Sequence, residues 1–471
     1  MDEINTLKSI VGDAHVFVGE TGGRYGADWT GSYVSTPLAA VRPANRDEVS
    51  AVVKYASEQG ISVVPMSGNT SLAGGTYAER SIVISLERMN AVREVRASSR
   101  LAVVEAGVIM SDLHQAADQH DLLFPMTFGA RGSAMIGGML ATNAGGSNVL
   151  RYGNTRDLCL GLEVVMPDGE IMEIMSELHK DNSGYNLKHL IIGAEGTLGI
   201  ITAAVMKLVA KPKARATAMI ATQSLDTALT LLNELQQSTG GSVDAFEFMP
   251  RRYMSRYKEL FPEKRLPFEA MHETNILIEL ATTASDLSDV QEDGKTLLGE
   301  KLENILAQEF EKGSVHEAVV AQNEAQRQEM WHIREAAAEV TLAHTPLVSN
   351  DVAVPLDQVS TFFEKMEPRL AEIDEGAISM SVAHLGDGNI HYSVWPQSQD
   401  PEVHAEIMES VENVVLSLGG SFSAEHGIGI TKLPSMQRRK NEVAMRVMRE
   451  IKQAIDPKNI MNPGKVVPAT A

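Results

Sequence analysis

The chain has 471 residues, 44% hydrophobic and 22% charged, which suits two or three soluble domains rather than a disordered or fibrous protein. Its 41 basic and 62 acidic residues leave a net charge of −21, which argues against nucleic acid and against a polybasic membrane contact. The single cysteine, Cys159, excludes an internal disulfide and any thiolate-built zinc or iron–sulfur site.

A reducing, cytoplasmic location is expected. Met1-Asp2-Glu3 lacks the basic and apolar regions of a signal peptide, and no stretch approaches the ~18 apolar residues of a membrane span.

Residues 1–35 read as a short helix followed by the polar loop Gly22–Trp29. Asp47-Glu48 open a predicted helix with Val49, Val52, Val53 and Ala56 on one face, stopped by Gly60. Ile61–Val64 is a predicted buried strand that runs into Pro65-Met66-Ser67-Gly68-Asn69-Thr70-Ser71-Leu72-Ala73-Gly74-Gly75. Such a loop can turn several backbone N–H groups toward one anion. It carries neither the P-loop lysine nor G-x-G-x-x-G, so a nucleoside triphosphate or a Rossmann cofactor is not indicated.

Ser81–Leu86 and Leu101–Ala106 are predicted strands. Between Pro125 and Tyr152 lies a small-residue region from Gly132 to Gly146, which suits either a flat ligand lying close to the backbone or a tightly packed helix. Leu160–Met166 is a predicted strand turned by Pro167-Asp168-Gly169, and Ile191–Thr202 is a third glycine-punctuated segment. Beyond Lys211-Pro212-Lys213, residues 214–418 mix helices and strands. Glu292–Lys312 reads as an exposed helix, Gln326–His344 as one helix carrying Trp331 and Arg334, and Pro401–Leu418 as a helix stopped by Gly419-Gly420.

The chemistry concentrates in His384-Leu385-Gly386-Asp387-Gly388-Asn389-Ile390-His391. Ala377–Ala383 before it and Tyr392–Trp395 after it read as strands, and Asp387-Gly388 is a hairpin signal for a type I′ turn. A two-residue loop there sets His384 opposite His391, with Cβ atoms about 4.5–5.5 Å apart, so that two imidazoles grip one metal ion. Glu425, in Ser421–Gly429, is the candidate third ligand. Two histidines and a carboxylate with a fourth position open are the ligands of a catalytic zinc site. Without thiolates, manganese and iron(II) stay as rivals. The adjacent His426 is left as a general base.

Pro65–Gly75, Gly132–Gly146 and Glu195–Thr202 together resemble the FAD-binding domain of the vanillyl-alcohol-oxidase/PCMH flavoprotein family. The hairpin, Glu425-His426 and the ending Asn462-Pro463-Gly464-Lys465 resemble its D-2-hydroxy-acid dehydrogenase branch, which includes D-2-hydroxyglutarate and D-lactate dehydrogenases. The resemblance covers almost the whole chain and implies an α+β fold. Residues 1–213 would form a two-subdomain PCMH-type FAD domain, 214–419 an α+β cap or substrate domain, and 420–471 a helical segment returning to the FAD domain.

It also implies that FAD lies against Pro65, Ser67, Gly68, Asn69, Thr70, Ser71, Gly74, Pro125, Gly132, Ser133, Ile136, Gly137, Gly138, Ala141, Thr142, Asn143, Gly145, Gly146, Glu195, Gly196, Gly199, Ile200, Ile201 and Asn462. Some relatives tether FAD through histidine or cysteine. No histidine occurs within Pro65–Gly75 and Cys159 lies outside these loops, so non-covalent FAD is expected.

The implied reaction is oxidation of a D-2-hydroxy acid. Its hydroxyl and C1 carboxylate chelate the metal on His384, His391 and Glu425, His426 takes the proton, and the C2 hydride passes to the flavin. Arg334 binds a substrate carboxylate and Asn389 completes the catalytic set. Electrons leave to an electron-transfer flavoprotein, a cytochrome or a quinone, and a homodimer is a further expected assembly. Diacid-specific relatives tend to have a hydroxyl residue and a lysine where this chain has Ala338 and Ser349, and often an asparagine where it has Ser393. The alternatives are a same-fold flavoenzyme acting on another alcohol or sugar acid such as glycolate, one forming ether lipid by a non-redox route, or a flavin-binding subunit of a larger oxidase complex.

Overall fold

The computed structural model describes residues 3–291 and 295–469. Met1 and Asp2, at the start of the stretch read as lacking a signal peptide, lie outside the described residues. So do residues 292–294, the start of the expected exposed helix.

The helix Arg46–Gln59 forms as its sequence dictates. The Asn45 side chain accepts the N–H groups of Asp47 and Glu48, Val49, Val52, Val53 and Ala56 are buried, and Gly60 ends it at φ 68. It leads into Val63–Met66, which pairs in parallel with Ile82–Ser85. With Ala39–Val41 and Val16–Phe17 these strands make a four-stranded sheet.

A second, antiparallel sheet runs in the order Val92–Arg96, Leu101–Glu105, Ile200–Lys207, Cys159–Val165, Ile171–Ile174. One apolar core joins the two sheets, through Val52, Ile84, Val104, Leu140 and Ala204 among others. Ile136–Thr142 is a helix within that core. A Cβ on Gly137 would stand 2.7 Å from the Ala106 methyl, so glycine sets how closely this helix approaches. The chain end returns here: Val63 N–H donates to Ile460 O and Asn462 N–H to Val63 O, both at 2.8 Å, and Ile460 and Met461 are buried in the same core.

The third sheet is antiparallel. Its order is Val315–Val320, Ala214–Thr222, Thr274–Thr282, Val243–Pro250, Val382–His384, Asn389–Trp395, Val348–Ala353. Leu297–Glu311, Val359–Ile373 and Pro401–Ser417 contribute Leu298, Leu302, Phe362, Met366, Ile407 and Val411 to the core on one face. The helix expected to be exposed therefore starts at Leu297 and buries Leu298, Leu302, Ile305 and Leu306; a helical apolar stripe outweighs its polar average.

Gln326–His344 is two helices, Glu324–Glu335 and Ala337–Leu342, rather than one. At the break the Tyr253 hydroxyl donates to Ile333 O at 2.5 Å, competing for the carbonyl that would take the Ala337 N–H. Ala377–Ala383 is likewise split into Ile378–Ser379 and Val382–His384. The fold is α+β. Among the described residues no helix is long and apolar enough to cross a membrane.

Candidate active site

A cleft of about 1400 Å³ separates the glycine-punctuated loops from one face of the third sheet. It is larger than the roughly 300–1,000 Å³ of a single-ligand pocket, which gives room for more than one small ligand.

From the first side come Pro65, Ser67, Gly68, Asn69, Thr70, Ser71, Gly137, Gly138, Ala141, Thr142, Gly145, Gly146, Glu195, Gly196, Gly199, Ile200 and Ile201. A side chain on Gly68 would collide with Ser133 O, and one on Gly196 with the Pro65 ring; both keep the cradle backbone-lined and narrow-walled, which suits a flat, extended cofactor. Asn69, which lines the cleft, sits in the left-handed region at φ 50.

Seven residues expected beside the cofactor stand back from the wall. Gly74 packs on the Tyr33 ring, Ile136 is fully buried, and Asn143 caps its helix at φ 53 while accepting the Arg156 N–H. Gly132 and Pro125 lie outside the lining, as does Ser133, whose N–H and hydroxyl both bond Ala130 O. Asn462 supports the cradle from behind, donating to Gly75 O at 3.0 Å and Glu195 O at 2.7 Å.

The opposite wall is the hairpin face. Its register differs from the one expected. His384 pairs with Asn389, and His391 pairs with Val382. The loop is therefore the four residues Leu385–Gly388, of which Gly388 alone has positive φ, at 81°. A slip of two residues returns every side chain to the same face. His384 and His391 become diagonal neighbours, with ring centroids still 5.3 Å apart.

Glu425 completes the group: donor atoms of His384, His391 and Glu425 lie within 4.8 Å of one another, the spacing of ligands around one ion. A second set, Asp351, His391 and His426, shares His391. Asp351 was missed in the sequence because only strand pairing reveals it: it sits directly opposite His391 on Val348–Ala353.

The surrounding charges are ordered. Glu247, opposite His384 on the next strand, accepts His384 Nδ1–H at 2.8 Å and Arg334 Nε–H at 2.7 Å. Burial opposes charge on His384, yet Glu247 outweighs it and raises the imidazole to about 9. Burial, aided by the His384 charge, holds His391 well below the usual histidine range. Burial also lowers His426, against the pull of Asp351, and it pushes the Glu425 carboxyl up to about 7, with Asp351 and Asp387 adding to the rise.

Asp351 shows the reverse. Burial opposes its charge, but His426, Lys432 and His391, together with backbone N–H groups, hold it well below the carboxylate range. Its Oδ2 accepts the N–H groups of Ala424, Glu425 and His426 at 3.2, 2.9 and 2.8 Å. The His426 ring stacks on His391 at 5.6 Å.

Arg334 is 7% exposed and lines the cleft. Asn389 does not reach the cleft: its side chain lies beneath the wall, donating to Asp351 Oδ1 and Val352 O at 3.0 Å each. One strand step of about 7 Å from His391, Ser349 and Ser393 face each other with Oγ atoms 3.4 Å apart; Ala338, Leu342 and Leu347 line the same cleft.

Comparison with known proteins agrees with this layout. Residues 37–175 match the FAD binding domain family, and residues 211–466 match the family described as FAD linked oxidases, C-terminal domain. The chain is 35% identical over 450 residues to the D-2-hydroxyglutarate dehydrogenase of Xanthomonas citri pv. viticola, covering 94% of this chain and 92% of that one. It is 32% identical over 476 residues to that of Stutzerimonas stutzeri, covering 99% of both.

In Saccharomyces cerevisiae a D-2-hydroxyglutarate–pyruvate transhydrogenase is 32% identical, over 94% of this chain and 89% of its own. Among solved structures, p-cresol methylhydroxylase with substrate bound has a TM-score of 0.75 at 15% identity, over 99% of this chain and 96% of that one. Alkyldihydroxyacetonephosphate synthase has 0.72 at 18%, over 98% and 85%. At these identities the two structures show the shared fold alone. The match of both family models and the near full-length identity to these relatives place the chain in the FAD-linked oxidase family, in its D-2-hydroxy-acid dehydrogenase branch, as an FAD-linked oxidoreductase.

Proposed function

We propose that the enzyme oxidises the C2 hydroxyl of a D-2-hydroxy acid of the D-2-hydroxyglutarate or D-lactate class to the 2-oxo acid, with non-covalent FAD and a divalent metal, zinc first. The observation that carries this reading is the convergence of His384, His391 and Glu425, with His426 beside them, on the cleft wall that faces the glycine-lined cradle. The names of the relatives support the substrate class. The division into 1–213, 214–419 and 420–471 belongs to the same proposal.

The residues suit a metal on chemical grounds. Two imidazoles and a carboxylate leave room for substrate oxygen atoms, and Glu247 occupies His384 Nδ1, which would leave Nε2 as the ligand atom once a metal displaces its proton. When bound, the metal supplies Lewis-acid polarisation of the hydroxyl and FAD supplies the hydride acceptor. The chain does the rest. Arg334, anchored through Nε on Glu247 and with Nη2 3.3 Å from His384 Nε2, offers its Nη1 N–H groups to a substrate carboxylate. His426, kept neutral by burial, accepts the hydroxyl proton at Nε2, while its Nδ1 faces Asp351 at 3.8 Å. The Asp351 carboxylate then stabilises the imidazolium so formed. Electrons leave to an acceptor other than NAD, of the electron-transfer flavoprotein, cytochrome or quinone type.

Anaerobic mixing with single enantiomers tests the reading. D-2-Hydroxy acids bleach the flavin absorbance and L-acids do not; equal bleaching by both, or none by either, overturns it.

A further inference from the structure

The segment 424–431, which carries Glu425 and His426, is held from two sides. On the third-sheet side, Asp351 accepts the N–H groups of Ala424, Glu425 and His426, and Ser421 and Ala353 exchange backbone hydrogen bonds at 2.8 and 3.0 Å. On the cradle side, Glu195 accepts the next free pair: Ile428 N–H at Oε1, 2.7 Å, and Gly429 N–H at Oε2, 2.8 Å. Ala73 O, in the first glycine loop, takes the N–H groups of Ile430 and Thr431 at 2.9 and 3.2 Å.

Glu195 is built for this. It is 8% exposed, sits at φ 50, and its own carbonyl is fixed by the Asn462 amide. Gly427 makes room for its carboxylate, since a Cβ there would stand 2.7 Å from Glu195 Oε1, and Gly427 has φ 75. The cradle also touches the ligand itself: a methyl on Gly145 would collide with Glu425 Oε1.

We propose that Glu195 is a positioning residue for the metal-ligand set: fixed in the cradle, it holds segment 424–429 against Asp351, so that the place of Glu425 and His426 is set from the cofactor side of the cleft as well as from the sheet. This rests on the metal reading above for its effect on metal, but the restraint on the segment stands on its own. Both carboxylate oxygens are spent on backbone N–H groups, and the two residues between His426 and Gly429 leave little slack. The spacing between the base and the cradle is thereby fixed by one side chain. Replacing one acceptor oxygen by an NH₂ group sets a donor against a donor and frees one end of the segment.

The experiment uses full-length FAD-loaded protein and Glu195→Gln, with two readouts. Amide hydrogen exchange of a peptide covering 424–431 is expected to speed up at least tenfold in the variant, with exchange of the Ile200–Lys207 strand unchanged. Zinc affinity, by chelator competition, is expected to weaken at least tenfold with FAD stoichiometry retained. Gly145→Ala, whose φ permits alanine and which does not touch Glu195, is expected to weaken zinc affinity without altering exchange at Ile428 and Gly429; it reads the cradle's hold on Glu425 even if Glu195→Gln folds poorly.

Unchanged exchange and unchanged zinc affinity in Glu195→Gln overturn the proposal; should that variant prove unfolded, Glu195→Asp, whose carboxylate is one methylene shorter, is expected to show the same faster exchange of 424–431, and unchanged exchange there overturns it. A wild-type protein that takes up no metal overturns the metal reading instead, and the exchange result then decides the positioning role alone.

Discussion

Glu247 and His384 face each other on adjacent strands, and the buried carboxylate takes the Nδ1–H of the imidazole at 2.8 Å. The same carboxylate takes Arg334 Nε–H at 2.7 Å. One fully buried acid thus orients both a candidate metal ligand and a candidate substrate-binding arginine.

Glu247→Gln is therefore expected to weaken metal affinity by about 10–100-fold, the usual cost of losing such a supporting carboxylate. Chelator competition measures this directly. An unchanged dissociation constant with unchanged KM would show that His384 and Arg334 hold their positions without it.

His391→Ala is expected to lose the metal and most activity while keeping FAD, because the cradle lies on the opposite wall. The purified protein is expected to be yellow, and acid precipitation should leave intact FAD in the supernatant. Elemental analysis of the variant and the spectrum of the supernatant check the two statements. Full metal occupancy in His391→Ala contradicts the ligand assignment, and flavin that pellets with the chain contradicts non-covalent binding.

Substrate choice should follow the Ser349–Ser393 pair. At that place the strands present two hydroxyls, Ser349 and Ser393, and neither is a cation. D-Lactate-like monoacids are expected to compete with D-2-hydroxyglutarate. Ser349→Lys should favour the diacid in kcat/KM by about tenfold or more, given the roughly 1.5–3 kcal/mol of a charge-assisted hydrogen bond. A wild-type preference for D-2-hydroxyglutarate of several orders of magnitude would place its second carboxylate elsewhere.

Cys159 is buried on the second sheet, and burial pushes its thiol from 9.0 up to about 12. A folded-state pKa raised above the unfolded one gives stability that is fully present below pH 9 and is lost as the pH rises toward 12. The thiol should ignore a disulfide reagent in the native enzyme at pH 8 and react fully in denaturant. Urea midpoints should fall less steeply with alkaline pH in Cys159→Ala than in the wild type. Rapid native reaction with the reagent refutes the burial argument.

Local rules carried far in the sequence. The Asn45 cap, the apolar face of Arg46–Gln59 and the Gly60 stop are all nearest-neighbour effects, and each was legible. The convergence of His384 and His391 was legible for a weaker reason: strand parity survives an even slip, so the faces were right while the register and the Asp387-Gly388 turn were wrong. What stayed hidden depends on pairing across long separations. Asp351 lies in a run that looks like any buried strand until Asn389–Trp395 is laid beside it. The role of Glu247 needs the same sheet. The break at Ala336 has no glycine or proline to announce it, because Tyr253 reaches it from another helix.

The return of the chain end to the first sheet has a consequence for biosynthesis. Val63 awaits Ile460 and Asn462, which close its hydrogen bonds. Those partners leave the ribosome roughly 400 residues later, on the order of 20–80 s at about 5–20 residues per second. Until then an apolar surface meant for Ile460 and Met461 is open. The nascent protein thus passes through a window in which chaperones have something to bind and the cradle's rear brace, Asn462, has yet to be synthesised.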